Sequence, residues 1–298
     1  MHGVNGGCVV TGIRSGLILG AACIRNALFF LLSWFRRQCF YLLGSRPWSY
    51  GYSDYKACWI SRALSAQDFS LSITAPGHGW RIDERAVEIP WLQERLGSGS
   101  GLILDAGSAL NYFEVLSSPI LKNWKCVIAT LAPEASCFWR RGISYVFCDL
   151  RSSFLRPGSF DAIACLSTIE HVGLDNTLLY TSDASKCEMD IDGHLPFLDK
   201  LHDLLRPGGS LFLTFPFGRR AVHRWFQVFD SDSVDVMIAR FAPQDLSEEV
   251  FMYGPSGWAR SDRKAARDAL CYDPNTGMEP ASDGCAFSRA VICLEMKR

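Results

Sequence analysis

Polar residues that could bind or react with a small molecule follow three short apolar runs of the chain. Asp105 and Gly107 follow the run GLIL, Asp149 follows SYVFC, and Glu170-His171 comes shortly after FDAIAC. A carboxylate accepts hydrogen bonds, glycine allows a ligand to approach the backbone, and histidine titrates near neutral pH. These residue types predict a ligand site with one group, His171, that could act as a general base.

The elements that must position these residues alternate between strand and helix. The predicted strands are Leu102–Ala106, Lys125–Leu131, Ser144–Cys148, Phe160–Cys165, Ser210–Phe215, Val250–Tyr253 and Ala290–Met296. The predicted helices are Asp83–Leu96 (kinked or restarted at Pro90), a helix beginning at Tyr112–Leu116, Ala135–Arg141, Leu195–Leu205 and Ser261–Leu270. This alternation predicts an α/β fold, a doubly wound and mostly parallel seven-stranded sheet, with an N-terminal helical extension.

The loop after the first predicted strand indicates which kind of ligand fits. Ligands of such sheets bind at the carboxyl ends of the strands. Residues 105–111, DAGSALN, contain one glycine, so the dinucleotide pattern G-x-G-x-x-G is absent, as is the G-K-S/T of a phosphate-binding loop. The loop therefore suits a ligand without phosphate, whose amino and carboxylate groups contact Asp105 and the loop amides. A nicotinamide oxidoreductase is correspondingly disfavoured.

Four motifs in order carry a resemblance to a known family. DAGS, FCDL, FDAIACLSTIEHV and LLRPGGSLFLTFP together resemble the class I S-adenosylmethionine-dependent methyltransferases of the type 11 kind. The resemblance covers about residues 100–220 and does not cover the first 95. It implies a Rossmann-like fold, S-adenosyl-L-methionine as cofactor, and transfer of a methyl group.

The resemblance also implies roles for individual residues in cofactor binding. Asp105, Gly107 and Ser108 would contact the methionine part of the cofactor. Asp149 would bind the adenine amine, and Leu150 would pack on the adenine ring or offer its amide.

The remaining predicted site residues include two departures from the family pattern. Ser167 would border the sulfonium pocket. Thr130 stands where the family often has an acid that holds both ribose hydroxyls, and Glu134 is the alternative four residues on. Ala109 replaces the second loop glycine. His171 is either a general base or a residue that supports the site.

The methyl acceptor is not identified by these motifs. Methyl transfer from a sulfonium is a displacement in which the cofactor supplies the leaving group, so the enzyme mainly aligns the acceptor. Aromatic residues and arginines in residues 46–95 and 216–284 suit a small or membrane-associated acceptor, such as a glycan or a lipid-linked one, but ordinary packing explains them equally. A non-catalytic methyltransferase-like binding or scaffolding protein is the alternative, motivated by Thr130 and Ala109.

The N-terminal residues differ in character from the rest. Residues 15–35, SGLILGAACIRNALFFLLSWF, are apolar, with Arg25 and Asn26 near the middle. Three alternatives are a spanning helix, a helix in a membrane interface with arginines toward anionic head groups, and a helix docked on the chain's own domain. The predicted domains are 1–45, an amphipathic helical extension whose residues 14–43 could contact a membrane; 46–97, an aromatic linker with a capping helix; and 98–298, the methyltransferase domain.

Composition limits the other classes of partner. The net charge of −1 lacks the basic excess of a nucleic-acid-binding protein, so no nucleic acid is expected. The 12 cysteines include no C-x-x-C pair, and the six histidines sit beside no cysteine at zinc spacing, so no metal is expected. Reduced thiols predict a cytoplasmic protein, with membrane association through the N-terminal helix as the further expectation. The oligomeric state is left open.

Overall fold

A computed structural model of the chain describes residue 28 and residues 31–66, 69–178, 180–273 and 288–298. Residues 14–27 of the apolar segment and residues 274–284 of the predicted loop therefore lie outside the described residues. The chain divides into two compact units, one ending at Lys56 and one from Ala57 to Arg298. The domain boundaries expected at residues 45/46 and 97/98 stay a prediction.

An eight-stranded sheet forms the centre of the second unit, in the order β3-β2-β1-β4-β5-β10-β8-β9. Its strands are β1 (Gly101–Ala106), β2 (Trp124–Thr130), β3 (Ser144–Phe147), β4 (Phe160–Leu166), β5 (Leu205–Pro216), β8 (Asp245–Gly254), β9 (Gly257–Ser261) and β10 (Ala290–Lys297). A two-stranded sheet contains β6 (Ala221–Val222) and β7 (Gln227–Val228). Strands β1 to β5 pair in parallel, and β10 is antiparallel to both β5 and β8.

The helices alternate with these strands along the chain. They are α1 (described over residues 31–42), α2 (Tyr52–Ala66), α3 (Phe69–Ser72), α4 (Arg85–Leu96), α5 (Phe113–Leu116), α6 (His194–Leu204), α7 (Ser231–Phe241) and α8 (Arg263–Ala266). In the part of the chain that the structure describes, none of the helices combines the length and apolarity needed to cross a membrane.

The doubly wound α/β fold is confirmed, with corrections of detail. The helix predicted at Ser261–Leu270 forms only over Arg263–Ala266, and Ser261 ends β9. The sheet has eight strands rather than seven, because β9 folds back on β8 as a hairpin. Residues Ala135–Arg141 do not form a helix beyond the single 3-10 turn Trp139–Arg141. Pro90 does not interrupt α4. A proline lacks the N–H that would bond the carbonyl four residues earlier, and Nε2 of His78 lies 3.1 Å from that oxygen, on Ala86.

Both faces of the sheet are buried, which explains why its central strands are apolar almost throughout. Successive residues of a strand point to opposite faces. Leu211 and Leu213 of β5 join the core cluster that includes the buried residues of α6 and α7. Phe212, between them, packs edge-on against Trp91 of α4, with ring centroids 5.9 Å apart. Helices on both sides thus hold the strands that carry the site.

The register of the parallel strands brings the polar segments together. Asp105 pairs with Ile128 of β2 and with Ala164 of β4, and Thr130 pairs with Phe147 of β3. The carboxyl ends of β1 to β4 therefore meet at one edge. The strand order reverses direction between β1 and β4, and this switch is where sheets of this kind form a ligand crevice.

Candidate functional site

A pocket with about 600 Å³ of empty space lies at this edge of the sheet. Its walls come from the loops that follow β1, β2, β3 and β4, together with one residue of α6. The lining residues are Gly107, Ala129, Thr130, Leu131, Cys148, Asp149, Leu150, Arg151, Thr168, His171, Val172, Gly173, Asn176, Tyr180, Glu188 and Phe197. Five of the nine predicted site residues, Gly107, Thr130, Asp149, Leu150 and His171, are among them.

Gly107 lies where the loop after β1 touches the loop after β4. Its φ is +120°, a conformation that side chains rarely adopt, and a Cβ atom there would lie 2.1 Å from Oγ1 of Thr168. The bare backbone at Gly107 is thus one wall of the pocket. Thr168 is a site residue that the sequence reasoning missed, and it directly follows the predicted Ser167.

Asp105 organises the same loop from beneath. It is fully buried, and its two carboxylate oxygens accept hydrogen bonds from the backbone N–H groups of Ala109 (3.1 Å) and Leu110 (2.8 Å). Burial raises the pKa of Asp105 to about 7, against the opposing effect of these hydrogen bonds. Asp105 does not line the pocket, so its contacts fix the shape of the loop.

The side-chain hydroxyl of Ser108 has no hydrogen-bond partner among the described residues. This Oγ is buried, and the φ of Ser108 is +70°. A buried hydroxyl that forms no hydrogen bond costs free energy, and strained backbone is concentrated at functional sites. Ser108 is not among the residues that line the pocket, but it directly follows Gly107, which is.

Asp149 lies in the pocket wall but its carboxylate already has partners. Nη2 of Arg151 lies 2.7 Å from Oδ2 of Asp149, and the backbone N–H of Arg151 donates to Oδ1 at 2.9 Å. The same guanidinium donates to both oxygens of Glu188, at 2.6 and 2.7 Å. Burial opposes ionisation, but the hydrogen bonds from Arg151 outweigh it and hold the pKa of Asp149 below its usual value. Arg151 thus joins the loop after β3 to the segment that contains Glu188.

Thr130 and Leu150 line the pocket where the sequence places the ribose and the adenine, respectively. Glu134 is half-buried and is not among the lining residues. Of the two side chains considered for the ribose hydroxyls, Thr130 is therefore the one in the pocket wall.

Ser167 points into the protein instead of the pocket. Its Oγ donates to Oε1 of Glu88 at 2.5 Å, and Thr214 donates to the same oxygen at 2.5 Å. Glu88 is fully buried and also pairs with Arg85 on the same helix. Ser167 therefore connects the end of β4 to α4, and the adjacent Thr168 faces the pocket.

His171 is held in one orientation at the pocket wall. Its Nδ1 donates to the carbonyl oxygen of Trp225 at 2.7 Å, and its ring stacks on the Trp225 indole with centroids 5.3 Å apart. Burial lowers the pKa of His171 to about 4, so the ring is neutral at physiological pH. Because a carbonyl only accepts, the proton sits on Nδ1 and Nε2 keeps its lone pair. Tyr180 contacts the same ring edge-on at 5.7 Å.

Two tryptophans expected on the acceptor side belong to the core. Trp91 and Trp258 are almost fully buried. Nε1 of Trp91 donates to Glu249, and Nε1 of Trp258 donates to the carbonyl of Ile82. The polar residues nearest His171 in the pocket wall, Asn176 and Tyr180, come instead from the loop after β4, which the sequence reasoning did not single out.

Comparison with known proteins adds similarities of fold. No protein-family model and no curated protein matches the chain. A Burkholderia thailandensis 1,6-didemethyltoxoflavin-N1-methyltransferase with bound S-adenosylhomocysteine matches with a TM-score of 0.44 and 14% identity, over 82% of this chain and 89% of that one. A Haemonchus contortus phosphoethanolamine N-methyltransferase 2 in complex with S-adenosyl-L-methionine matches with a TM-score of 0.44 and 14% identity, over 80% of this chain and 56% of that one. A structure named as a 4+2 cyclase matches with a TM-score of 0.40 and 14% identity, over 64% of this chain and 71% of that one.

These matches are distant in sequence, and the fold of this chain is established by its own strand order. A parallel β3-β2-β1-β4-β5 sheet with an antiparallel strand beyond β5 defines a doubly wound α/β domain. The crevice at its switch point is the candidate functional site.

Proposed function

We propose that the chain is an S-adenosylmethionine-dependent methyltransferase. The observation that carries this proposal is the single pocket wall formed by Gly107, Thr130 and Asp149-Leu150, each at or just beyond the carboxyl end of a different parallel strand. The resemblance implies methionine contact at Gly107, adenine contact at Asp149-Leu150, and ribose contact at Thr130, where the family often has an acid. The open backbone at Gly107 and the buried Ser108 hydroxyl fit a ligand that presents amino and carboxylate groups rather than phosphate.

Particular residues would hold the cofactor. Ser108 and the loop amides would meet its methionine part, and Thr130 would offer one hydrogen bond to a ribose hydroxyl. Leu150 would pack on the adenine. The oxygens of Asp149 already accept hydrogen bonds from Arg151, so Asp149 would have to accept a further one from the adenine amine. Its contribution to cofactor binding therefore depends on the Asp149–Arg151 pair.

The cofactor supplies an activated methyl group and its own leaving group. The protein's part is to align the acceptor and exclude water from the reacting atoms. His171 is suited to remove a proton from an acceptor that must lose one, since Nε2 is unprotonated and Nδ1 is fixed by Trp225. Its low pKa makes it a weak base in the free protein, which favours a role on an acceptor whose proton leaves as the methyl group arrives.

The acceptor that we propose is a small or membrane-associated metabolite with a hydroxyl or amine group. Asn176 and Tyr180 line the pocket beside His171, since Nδ2 of Asn176 lies 3.4 Å from the His171 carbonyl oxygen and the Tyr180 ring lies 5.7 Å from the imidazole. A glycan or lipid-linked molecule would present such a hydroxyl or amine group.

A non-catalytic binding protein is the second candidate function. The observation that favours it is the Asp149 carboxylate, which is held by Arg151 instead of facing an open site. Such a protein would bind the cofactor, or another small molecule, without transferring a methyl group.

Two measurements test these proposals. Calorimetric titration of the full chain with S-adenosylmethionine and with NAD should give binding of the first alone, and no binding of S-adenosylmethionine would contradict the methyltransferase. Incubation with methyl-labelled cofactor and metabolite extracts should transfer label to an extractable acceptor. Binding without any transfer would favour the second candidate.

A further inference from the structure

Helix α1 presents a wide apolar surface to solvent. The large apolar residues with at least 47% exposure in and beside this helix are Leu28, Leu31, Leu32, Trp34, Phe35, Tyr41, Leu42 and Leu43. Within α1, Leu31, Leu32, Phe35 and Leu42 follow helical spacing and share one face. Soluble proteins rarely expose a contiguous apolar patch of this kind unless it binds something.

The opposite side of α1 is fixed within the first unit. Phe40 is fully buried and stacks on Tyr55 with ring centroids 4.7 Å apart. Nε of Arg36 donates to Asp54 at 2.7 Å, and this ion pair holds the pKa of Asp54 below its usual value although burial opposes it. One side of the helix therefore packs within the first unit, and the apolar face with Leu31, Phe35 and Leu42 remains exposed.

Charge identifies the partner of this face. Residues 1–56 contain six Lys or Arg and one Asp, a net charge of +5, so residues 57–298 carry −6. A basic, apolar segment joined to an acidic domain suits an anionic lipid surface, which attracts arginines and accepts apolar side chains below them. Trp34 and Tyr41 lie on one flank of the face, and such rings favour the head-group level of a bilayer.

We propose that α1 lies in the interfacial layer of an anionic membrane, with Leu31, Phe35 and Leu42 inserted. Arg46, exposed just after the helix, would meet lipid phosphates. This inference is independent of the methyltransferase proposal, since it concerns only the first unit.

Co-sedimentation with vesicles tests this proposal on the full chain. We expect the protein to pellet with phosphatidylcholine vesicles that contain 30% phosphatidylserine (roughly the charge of an anionic leaflet), and to bind less at high salt, which screens the arginines. The variant L31E/F35E/L42E should lower the partition coefficient about tenfold or more, because charges replace inserted apolar groups. L42E alone, at a position 85% exposed, should lower it by a smaller factor and cannot disturb the core.

Matched controls separate this face from exposed apolar residues in general. F154E replaces an equally exposed side chain (84%) in the second unit and should leave vesicle binding unchanged. R46E should weaken binding to anionic vesicles and leave the weaker binding to neutral ones unaltered. Equal pelleting of the wild type and the triple variant would overturn the proposal. So would self-association of the wild type without vesicles that the triple variant abolishes, because the partner would then be a second copy.

Discussion

A Cβ atom on residue 107 would lie 2.1 Å from Oγ1 of Thr168, so the loops after β1 and β4 meet at a point that only glycine fits. Atoms cannot approach this closely, and one of the two loops must move if residue 107 gains a side chain. The contact joins the expected methionine-binding loop to the wall that contains His171. Both walls of the pocket therefore depend on one small residue.

Gly107→Ala should displace this contact and weaken S-adenosylmethionine binding by at least tenfold, measured by calorimetry. The backbone strain and clash should also lower the free energy of unfolding by about 1–3 kcal/mol. Gly142→Ala is the matched control, since Gly142 also has a positive φ (+77°) but a Cβ there meets nothing within 4 Å. Equal cofactor affinity in both variants would contradict the placement of the cofactor against Gly107.

Ser108→Ala should reduce the affinity for S-adenosylmethionine severalfold while slightly stabilising the free protein. The reason is that the Ser108 hydroxyl is buried without a described partner, and removing it relieves that cost only when no ligand is bound. Ser153→Ala removes another buried Oγ without a described partner, in the segment after β3 instead of the loop after β1. The hypothesis fails if the two variants lose the same affinity.

The low pKa of His171 predicts a pH-dependent stability. The folded state holds the ring neutral, with a pKa of about 4, whereas an unfolded histidine titrates near 6.5. The unfolded state thus binds more protons between these values, so this stabilisation is present above about pH 6.5 and is lost as the pH falls toward 4. His171→Gln should flatten the decline in the free energy of unfolding over that range by up to about 3 kcal/mol. Urea denaturation at pH 7 and 4.5 measures it.

His202→Gln, on α6 and outside the pocket lining, controls for the loss of an imidazole as such. A pH dependence that is the same in wild type and His171→Gln would show that another group causes it. In the active enzyme, His171→Gln should lower kcat more than it raises KM if Nε2 accepts the acceptor's proton.

Glu88→Ala should be strongly destabilising. Glu88 is fully buried and joins Arg85, Ser167 and Thr214 in one network, and removing one partner of a buried ion pair typically costs about 3–5 kcal/mol. Thermal and urea unfolding measure the loss. Glu94→Ala, on the same helix but with exposed contacts to Ser70, should change stability by less than about 1 kcal/mol. Comparable losses in the two variants would show that the network is not what stabilises this end of β4.

The order of strands and helices could be predicted from the sequence because hydrophobic periodicity is local. The runs Leu102–Leu104 of β1, Val127–Ala129 of β2 and Ala162–Leu166 of β4 are apolar, as segments covered on both faces must be. Strand β9 was missed because Gly257–Ser261 contains two polar residues of five, and its strand character comes from pairing with β8. The restart expected at Pro90 was wrong. His78, which lies outside α4, contacts the Ala86 carbonyl oxygen that the proline leaves without a backbone N–H partner.

The sequence by itself determined which residue types follow each strand, and parallel pairing alone then brings Gly107, Thr130 and Asp149 to one edge. Only the tertiary structure decided where each side chain points. Ser167 and Thr168 are neighbours in the chain, yet one bonds to Glu88 within the protein and the other lines the pocket. Glu188 meets Arg151 across 37 residues of chain. Such contacts depend on how the loops fold over the sheet. Loops have no periodic sequence pattern from which the direction of a side chain could be predicted.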